Sequence, residues 1–239
     1  MIKKKFKSTV LCVAFHPTNG QLLATGCADF KCRVFSTFAA DVDGTNVNCG
    51  PFANPETFGE SYCELSALGW VHAVAWSPSG SVLAYAGHDS SLHFATFGGA
   101  EPVVRTVRLN DLPLSCLLFL SETALVGGGH DFNPLIFTAN KSGEWSFFTS
   151  VDKESSKTSA VAATSATAAA RDMFNARTKL GQTSKQEGDT LRTRHERPIT
   201  SMQYASAKGF SSISTSGLDG KLIVWNLPQL EINMASLGL

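Results

Sequence analysis

The chain has 239 residues, of which 43% are hydrophobic and 17% are charged. This composition supports a buried core and excludes a wholly disordered chain or a coiled coil. Twenty Lys and Arg balance twenty Asp and Glu, so a protein that coats nucleic acid with its whole surface is not expected. No apolar run reaches about eighteen residues, and we therefore expect no membrane insertion.

The charges are unevenly placed along the chain. Residues 1–7 carry four lysines, and residues 152–197 carry nine basic and six acidic side chains. The rest of the sequence is acidic, which predicts an acidic body with two basic segments. The apolar run Val10–Phe15 follows the first basic segment, but it is too short for the core of a secretion signal and is interpreted as a buried strand.

Four segments of the sequence repeat one pattern. Each contains three short apolar runs separated by turn residues, with an Asp between the second and third runs. Short runs bounded by turn signals are typical of strands, and none of the four shows helical periodicity. Units of this kind predict an all-β fold built from blades of a WD-type β-propeller. The predicted units cover residues 7–36, 69–97, 113–148 and 195–227.

The Asp of each repeat is expected to be a structural turn residue. The first unit has Asp29, while the second and third place a His immediately before the Asp, as His88-Asp89 and His130-Asp131. A catalytic His–Asp dyad is the alternative interpretation of these pairs. Neighbouring residues in a tight turn do not easily face each other, and the pair recurs at equivalent positions, so we predict a structural role.

The fourth unit contains four polar residues at the offsets of the WD-repeat hydrogen-bond tetrad. They are His195, Thr215, Asp219 and Trp225. In that arrangement the Asp accepts from the His, which also reaches the Thr hydroxyl, and the hydroxyl bonds the indole N–H. A buried carboxylate without such partners would be costly, which favours a structural tetrad at these positions.

An insertion at residues 152–194 separates the third and fourth units. It begins with an Ala, Ser and Thr-rich arm and continues into an amphipathic segment that predicts a helix over 168–180. Two interpretations remain open: a helix or linker that folds back on its own propeller, and a helix that orders on a partner. The second interpretation assigns partner binding to Arg171, Met173, Phe174 and Arg177.

The sequence contains no recognisable catalytic or metal-binding motif. Its six cysteines are irregularly spaced without a Cys-x-x-Cys pair, which predicts free thiols and neither a metal centre nor a cofactor. Gly-x-Ser-x-Gly, His-Glu-x-x-His and phosphate-loop patterns are absent. We therefore do not expect an enzyme.

Both ends of the sequence suggest an incomplete ring. Ile2 to Phe6 has the character of the last part of a strand from a preceding blade, and the last unit has no fourth apolar run after Leu227. Four units are few for a WD ring, so we expect a partial propeller that lacks its N-terminal blades.

Several motifs resemble the WD-repeat subunit of the actin-related protein 2/3 complex. The most specific are the segments Asp29–Ser36 and Gly69–His72, followed by Gly129–Asp131 and Ser216–Gly220. The likeness runs in order from about Lys3 to Leu230, and the insertion lies in the same place. The resemblance implies a seven-bladed propeller, of which this chain would supply about the last four blades.

The resemblance also implies a function. The family member is a non-enzymatic, cytoplasmic subunit of an assembly that nucleates branched filaments in the actin cytoskeleton. Its implied partners are the actin-related proteins and other subunits, the actin filament and nucleation-promoting factors. The family's inserted helix is linked to actin contact, and the matching positions are Arg171, Met173 and Phe174.

A different WD scaffold is the competing interpretation, for example a substrate receptor of a ubiquitin ligase. Such receptors often carry Trp-Asp-x-Arg after the third strand, where this chain has Trp225-Asn226-Leu227-Pro228.

Overall fold

The computed structural model describes most of the predicted blades. The described residues are 6–18, 20–43, 52, 57–99, 101–152, 193–205, 212–228 and 238. The chain divides into two compact units, one formed by residues 1–151 and 194–239 and the other by residues 152–193. The predicted helix over 168–180 lies outside the described residues, as do residues 2–5 of the segment Ile2–Phe6.

The first unit consists of four antiparallel sheets whose strands follow one another in chain order. Sheet 1 contains β1 Val10–Phe15, β2 Leu22–Cys27, β3 Lys31–Ser36 and β4 Ser61–Ser66, and the short helix α1 Ala40–Asp43 follows β3. Sheet 2 contains β5 Val71–Trp76, β6 Val82–Gly87, β7 Ser91–Thr96 and β8 Val103–Arg108. Sheet 3 contains β9 Leu114–Ser121, β10 Ala124–Gly129, β11 Leu135–Ala139 and β12 Trp145–Ser150. Sheet 4 contains β13 Ile199–Tyr204, β14 Ser212–Gly217 and β15 Leu222–Asn226. The predicted all-β propeller class is thereby confirmed.

The outermost strands extend the sheets beyond the predicted units. β4 and β8 follow the ends of the units predicted at 7–36 and 69–97. Both strands have exposed positions along much of their length. A strand at the solvent-exposed edge of a sheet needs no continuous apolar run, so the search for apolar runs found only the inner three strands of each blade.

The middle strands of sheets 2 and 3 lie in the hydrophobic core. β6 and β10 are buried at all six positions, which explains their small and aliphatic composition, since both faces contact neighbouring sheets. Three apolar clusters fill the spaces between successive sheets. In the second cluster Phe94 and Trp145 stack with ring centroids 4.0 Å apart.

The first strands of the sheets form the inner side of the unit. β1 contacts β5, β5 contacts β9, and β9 contacts β13. Hydrogen bonds support these contacts: the Trp76 indole N–H donates to the Ala14 carbonyl at 3.2 Å, and the Tyr204 hydroxyl donates to the Phe119 carbonyl. Because each blade packs on the next through its first strand, the ends of these strands lie close together.

Each of these inner strands contains a bulge near its first residues. The register shifts lie between Val10 and Cys12, Val71 and Ala73, Leu114 and Cys116, and Ile199 and Ser201. The additional residues are therefore Leu11, His72, Ser115 and Thr200. Because a bulge turns a side chain away from the regular pleat, these four positions repeat at one end of the sheets.

The described cysteines are free thiols set in or beside the core. They are Cys12, Cys27, Cys32, Cys63 and Cys116. Burial raises the pKa of Cys12 to about 12 and that of Cys63 and of Cys116 to about 11, so these thiols stay protonated at neutral pH. Within the described part of the chain, no helix has the length and apolar character needed to cross a membrane.

Candidate interaction surface

The four predicted tetrad residues form one continuous hydrogen-bonded chain in sheet 4. The Trp225 indole N–H donates to Thr215 Oγ1 at 2.8 Å, and Thr215 Oγ1 lies 2.8 Å from His195 Nε2. His195 Nδ1 lies 3.0 Å from Asp219 Oδ2. This order requires His195 to donate from Nδ1 and to accept the Thr215 hydroxyl at Nε2. The Cζ atom of Arg194 lies 5.0 Å from the centroid of the Trp225 ring. The guanidinium therefore covers the Trp225 end of this series of hydrogen bonds.

The Asp219 carboxylate has further donors around it. The backbone N–H groups of Glu196 and Lys221 donate to it at 2.9 and 3.0 Å. Burial on its own raises the pKa of this carboxyl, but the two backbone donors and His195 outweigh burial and lower the pKa to about 2. Asp219 is therefore ionised throughout the neutral range, and it fixes the β14–β15 turn and the segment before β13 at the same point.

Sheet 1 holds its turn Asp through an Arg. Arg33 Nη1 and Nη2 donate to the two carboxylate oxygens of Asp29 at 3.1 and 2.9 Å, and its Nε donates to Glu64 at 2.8 Å. Burial raises the pKa of Asp29, but the hydrogen bonds and the charge of Arg33 reverse that effect and lower it. A bidentate Arg–carboxylate pair is strong and directional, so this turn is fixed by an ion pair.

Sheet 2 holds its turn Asp through a third arrangement. The Ser91 hydroxyl donates to Asp89 Oδ1 at 2.6 Å, and Ser91 Oγ lies 2.8 Å from His93 Nε2. His93 Nδ1 in turn lies 2.8 Å from the Thr106 hydroxyl on the outer strand. Burial lowers the pKa of His93, so its imidazole acts as a neutral link between the turn and β8.

Sheet 3 uses a backbone donor. Asp131 Oδ2 accepts the backbone N–H of Leu112 in the β8–β9 connection. The nearby Asp111 has a raised pKa because of burial and the charge of Asp131. The turn Asp therefore joins two successive blades here.

The carboxylates of the two adjacent His–Asp pairs accept hydrogen bonds from other residues. Asp89 and Asp131 accept hydrogen bonds from Ser91 and from the backbone of Leu112, as described above. His88 Nδ1 instead lies 2.8 Å from Nε2 of His72, the bulge residue of β5. The indole of Trp70 stacks on the His88 ring, with centroids 5.5 Å apart and an interplanar angle of 27°.

Exposed apolar side chains cluster in the loops at this end of the sheets. We call this region the turn-end surface, and its exposed apolar members are Phe30, Leu68, Trp70, Leu112 and Leu218. They lie in the β2–β3, β4–β5, β8–β9 and β14–β15 connections, and Phe30 adopts a positive φ of 66°. Large apolar side chains on rigid loops are typical of protein contact sites.

Sequence reasoning named some of these residues and missed others. Arg171, Met173, Phe174 and Arg177, the predicted partner-binding residues, lie outside the described residues. The missed residues are Arg33, Ser91 and His93 as turn partners, and His72 as the partner of His88. The motif Gly69–His72 was already a marked feature of the sequence, but no spacing rule connects His72 to a residue in the next turn.

The sheets and their turns define a class. Residues 2–36 and 60–94 match the family model "WD domain, G-beta repeat". Among solved structures, Sqt1 from Chaetomium thermophilum bound to the N-terminus of the ribosomal protein L10 is similar at a TM-score of 0.57 and 17% identity. That similarity covers 91% of this chain and 46% of Sqt1, and it concerns the fold alone. The repeats and the sheets together give this chain the fold of a WD-type β-propeller.

Curated relatives give a more particular resemblance. Actin-related protein 2/3 complex subunit 1B of Arabidopsis thaliana is 37% identical over 235 residues, which are 97% of this chain and 62% of the relative. Subunit 1 from Schizosaccharomyces pombe is 36% identical over 241 residues, covering 95% of this chain and 63% of the relative. The resemblance to the WD-repeat subunit of this complex is therefore confirmed, and the chain spans somewhat less than two thirds of these relatives.

Proposed function

We propose that this protein acts as a WD-repeat subunit of an actin-related protein 2/3 complex and contributes to the nucleation of branched actin filaments. The observation that carries the proposal is the similarity to subunit 1 proteins along 97% of the chain. The proposed partners are the actin-related proteins, the companion subunits, the actin filament and nucleation-promoting factors. The proposed location is the cytoplasmic actin cytoskeleton.

The geometry of the blades supports a binding role. Asp29, Asp89, Asp131 and Asp219 accept hydrogen bonds that fix loops, and the described thiols have raised pKa values. What the loops offer to another molecule is the exposed apolar set of the turn-end surface. A rigid sheet scaffold that positions loop side chains is an arrangement suited to protein recognition.

The inserted segment is the second part of the proposal. We assign filament or partner contact to Arg171, Met173, Phe174 and Arg177, because the pattern of the segment places apolar residues on one helical side and basic residues beside them. Such a segment can order on a partner and bury its apolar side there.

The experiment uses the full chain, tagged and purified from its native cells. Actin-related proteins and companion subunits should co-purify, and the recovery of ubiquitin-ligase components instead would contradict the proposal. The double variant Met173→Ala/Phe174→Ala should assemble normally but give fewer branches in filament imaging. Loss of a contact pair that dominates an interface costs about 2 kcal/mol or more, roughly a thirtyfold weaker affinity.

A matched control comes from the polar positions of the same segment. The double variant Asn175→Ala/Thr178→Ala changes two neighbouring residues without removing an apolar side chain. It should keep normal branching. Failure of the Met173 and Phe174 variant to assemble would instead assign these residues to internal packing.

A further inference from the structure

The pair formed by His72 and His88 has no part in the proposed function. His72 is the half-buried bulge residue of β5, and His88 is exposed in the β6–β7 turn. Their Nε2 and Nδ1 atoms lie 2.8 Å apart. The backbone N–H of His88 donates to the Trp70 carbonyl at 2.8 Å, and the Trp70 indole stacks on the His88 ring. Backbone and indole together hold His88 against His72.

Two imidazole nitrogens that face each other share a single proton. Neutral imidazole nitrogen is the preferred ligand of Zn²⁺, Ni²⁺ and Cu²⁺ among nitrogen donors in proteins. With metal–nitrogen distances of about 2.0–2.1 Å, two ligands of a tetrahedral ion lie about 3.3 Å apart. Opening the pair from 2.8 Å to that separation takes a small rotation of the exposed His88 side chain.

We propose that His72 and His88 form a two-histidine binding site for a divalent transition-metal ion such as Zn²⁺ or Ni²⁺, with Nε2 of His72 and Nδ1 of His88 as the ligands. Water completes the coordination, because no group of three His, Cys, Asp or Glu among the described residues is placed to hold a metal. This metal-site proposal does not depend on the proposed assembly role.

The proton that the two rings share need not leave the site when a metal binds. When the metal enters, the ring that donates the shared proton moves it to its other nitrogen, and no net proton is released. Metal ions and protons compete for the same imidazole nitrogens, so binding weakens as the pH falls.

The first test is a calorimetric titration of the full chain with NiCl₂ and with ZnCl₂. One ion should bind per chain, and His72→Gln and His88→Gln should each weaken binding at least about tenfold. Gln keeps a hydrogen-bonding side chain of similar size but is a poor ligand for these ions. The matched control His130→Gln removes the third nearby histidine and should change the affinity less than twofold.

The titrations can also contradict the two-histidine site. Absence of saturable binding by the wild-type chain overturns the proposal, and so does unchanged affinity in His72→Gln. A loss in His130→Gln as large as that in His72→Gln would replace the two-histidine site with a three-histidine one. Circular dichroism of each variant checks that the sheets are intact.

Two further measurements test the site while both histidine ligands are in place. In the wild-type chain, Ni²⁺ should broaden the imidazole resonances of His72 and His88 before those of His16, His93 and His195, and Zn²⁺ should reverse the broadening. Ni²⁺ should also quench the fluorescence of Trp70, which is 49% exposed. The variant Trp70→Phe should lose this quenching and keep the affinity, whereas quenching that persists would place the ion elsewhere.

Discussion

Asp219 illustrates how a buried charge is tolerated when its acceptor sites are filled. Its side chain is only 4% exposed, yet the carboxylate receives two backbone N–H groups and the His195 ring. Buried carboxylates with several donors remain ionised because the donors favour the charged form. The free-energy cost of desolvating the carboxylate is thus offset by donors next to it, and the charge stays within the β14–β15 turn.

A pH dependence of stability follows from the lowered pKa of Asp219. The folded-state pKa of about 2 lies below the ordinary value of 3.8. The carboxylate therefore stabilises the fold fully above about pH 4, and this contribution is lost as the pH falls through 2. In urea unfolding, the gap in unfolding free energy between the wild type and Asp219→Asn should be largest above pH 4 and should shrink toward pH 2.

Other acids also titrate in this range, so the comparison with the variant isolates Asp219. Asp29 and Glu64 have lowered pKa values as well, and they contribute equally to both proteins. The variant Asp29→Asn serves as the control, since it should leave the effect of Asp219 in place. A gap between wild type and Asp219→Asn that stays constant from pH 7 to pH 2 contradicts the prediction.

At the level of residues, sheet 4 is the blade that follows the repeat pattern closely. His195, Thr215, Asp219 and Trp225 stand at characteristic offsets, and the structure brings them into one hydrogen-bonded chain. The other blades use different partners for the same Asp. Arg33 lies four residues after Asp29, on the strand that follows the turn, and its guanidinium reaches back to the Asp29 carboxylate.

At the level of elements, one close approach between strands lies where sheets 1 and 2 meet. A Cβ atom on Gly26 would lie 2.5 Å from Cys12 Sγ and 2.8 Å from the Val71 carbonyl oxygen. Cys12 Sγ in turn lies 3.7 Å from that carbonyl. Glycine is required in β2 because the first strand of the next blade approaches the backbone at this position.

We predict that Gly26→Ala destabilises the fold. The Val71 backbone must move away, and overpacking of this kind costs about 1–3 kcal/mol. Thermal and urea unfolding measure the loss. The control is Gly20→Ala, where a Cβ atom meets nothing within 4 Å, and its stability should stay within about 0.5 kcal/mol of the wild type. Equal stability of Gly26→Ala and Gly20→Ala would show that β1 and β5 can separate freely.

The strands divide into those that sequence predicts and those it does not. β6 and β10 are buried throughout, so their apolar runs stand out. β8 is mostly exposed and mixes Val with Arg and Thr, which gives no continuous apolar run to detect. The bulge that directs His72 toward His88 is likewise set by pairing with β6, which a linear pattern of residues does not contain.

At the level of the whole unit, the sheets pack on one another in succession, and one side of β1 carries exposed apolar side chains. Cys12 and Ala14 face the cluster between sheets 1 and 2. Val13 and Phe15 alternate with them and remain 57% and 60% exposed. Adjacent exposed apolar side chains on a strand form a surface that favours association with another apolar surface.

This side of β1 should make the purified chain associate with itself. The double variant Val13→Thr/Phe15→Thr keeps β-branched residues that suit a strand but removes much of the apolar area. Sedimentation velocity at increasing concentration should show less association than in the wild type. Val42→Thr is the control, because Val42 is more exposed still, at 83%, but lies on α1 and not on the strand. If both variants associate as the wild type does, the exposed side of β1 is not the surface that drives association, and the turn-end surface becomes the next one to test.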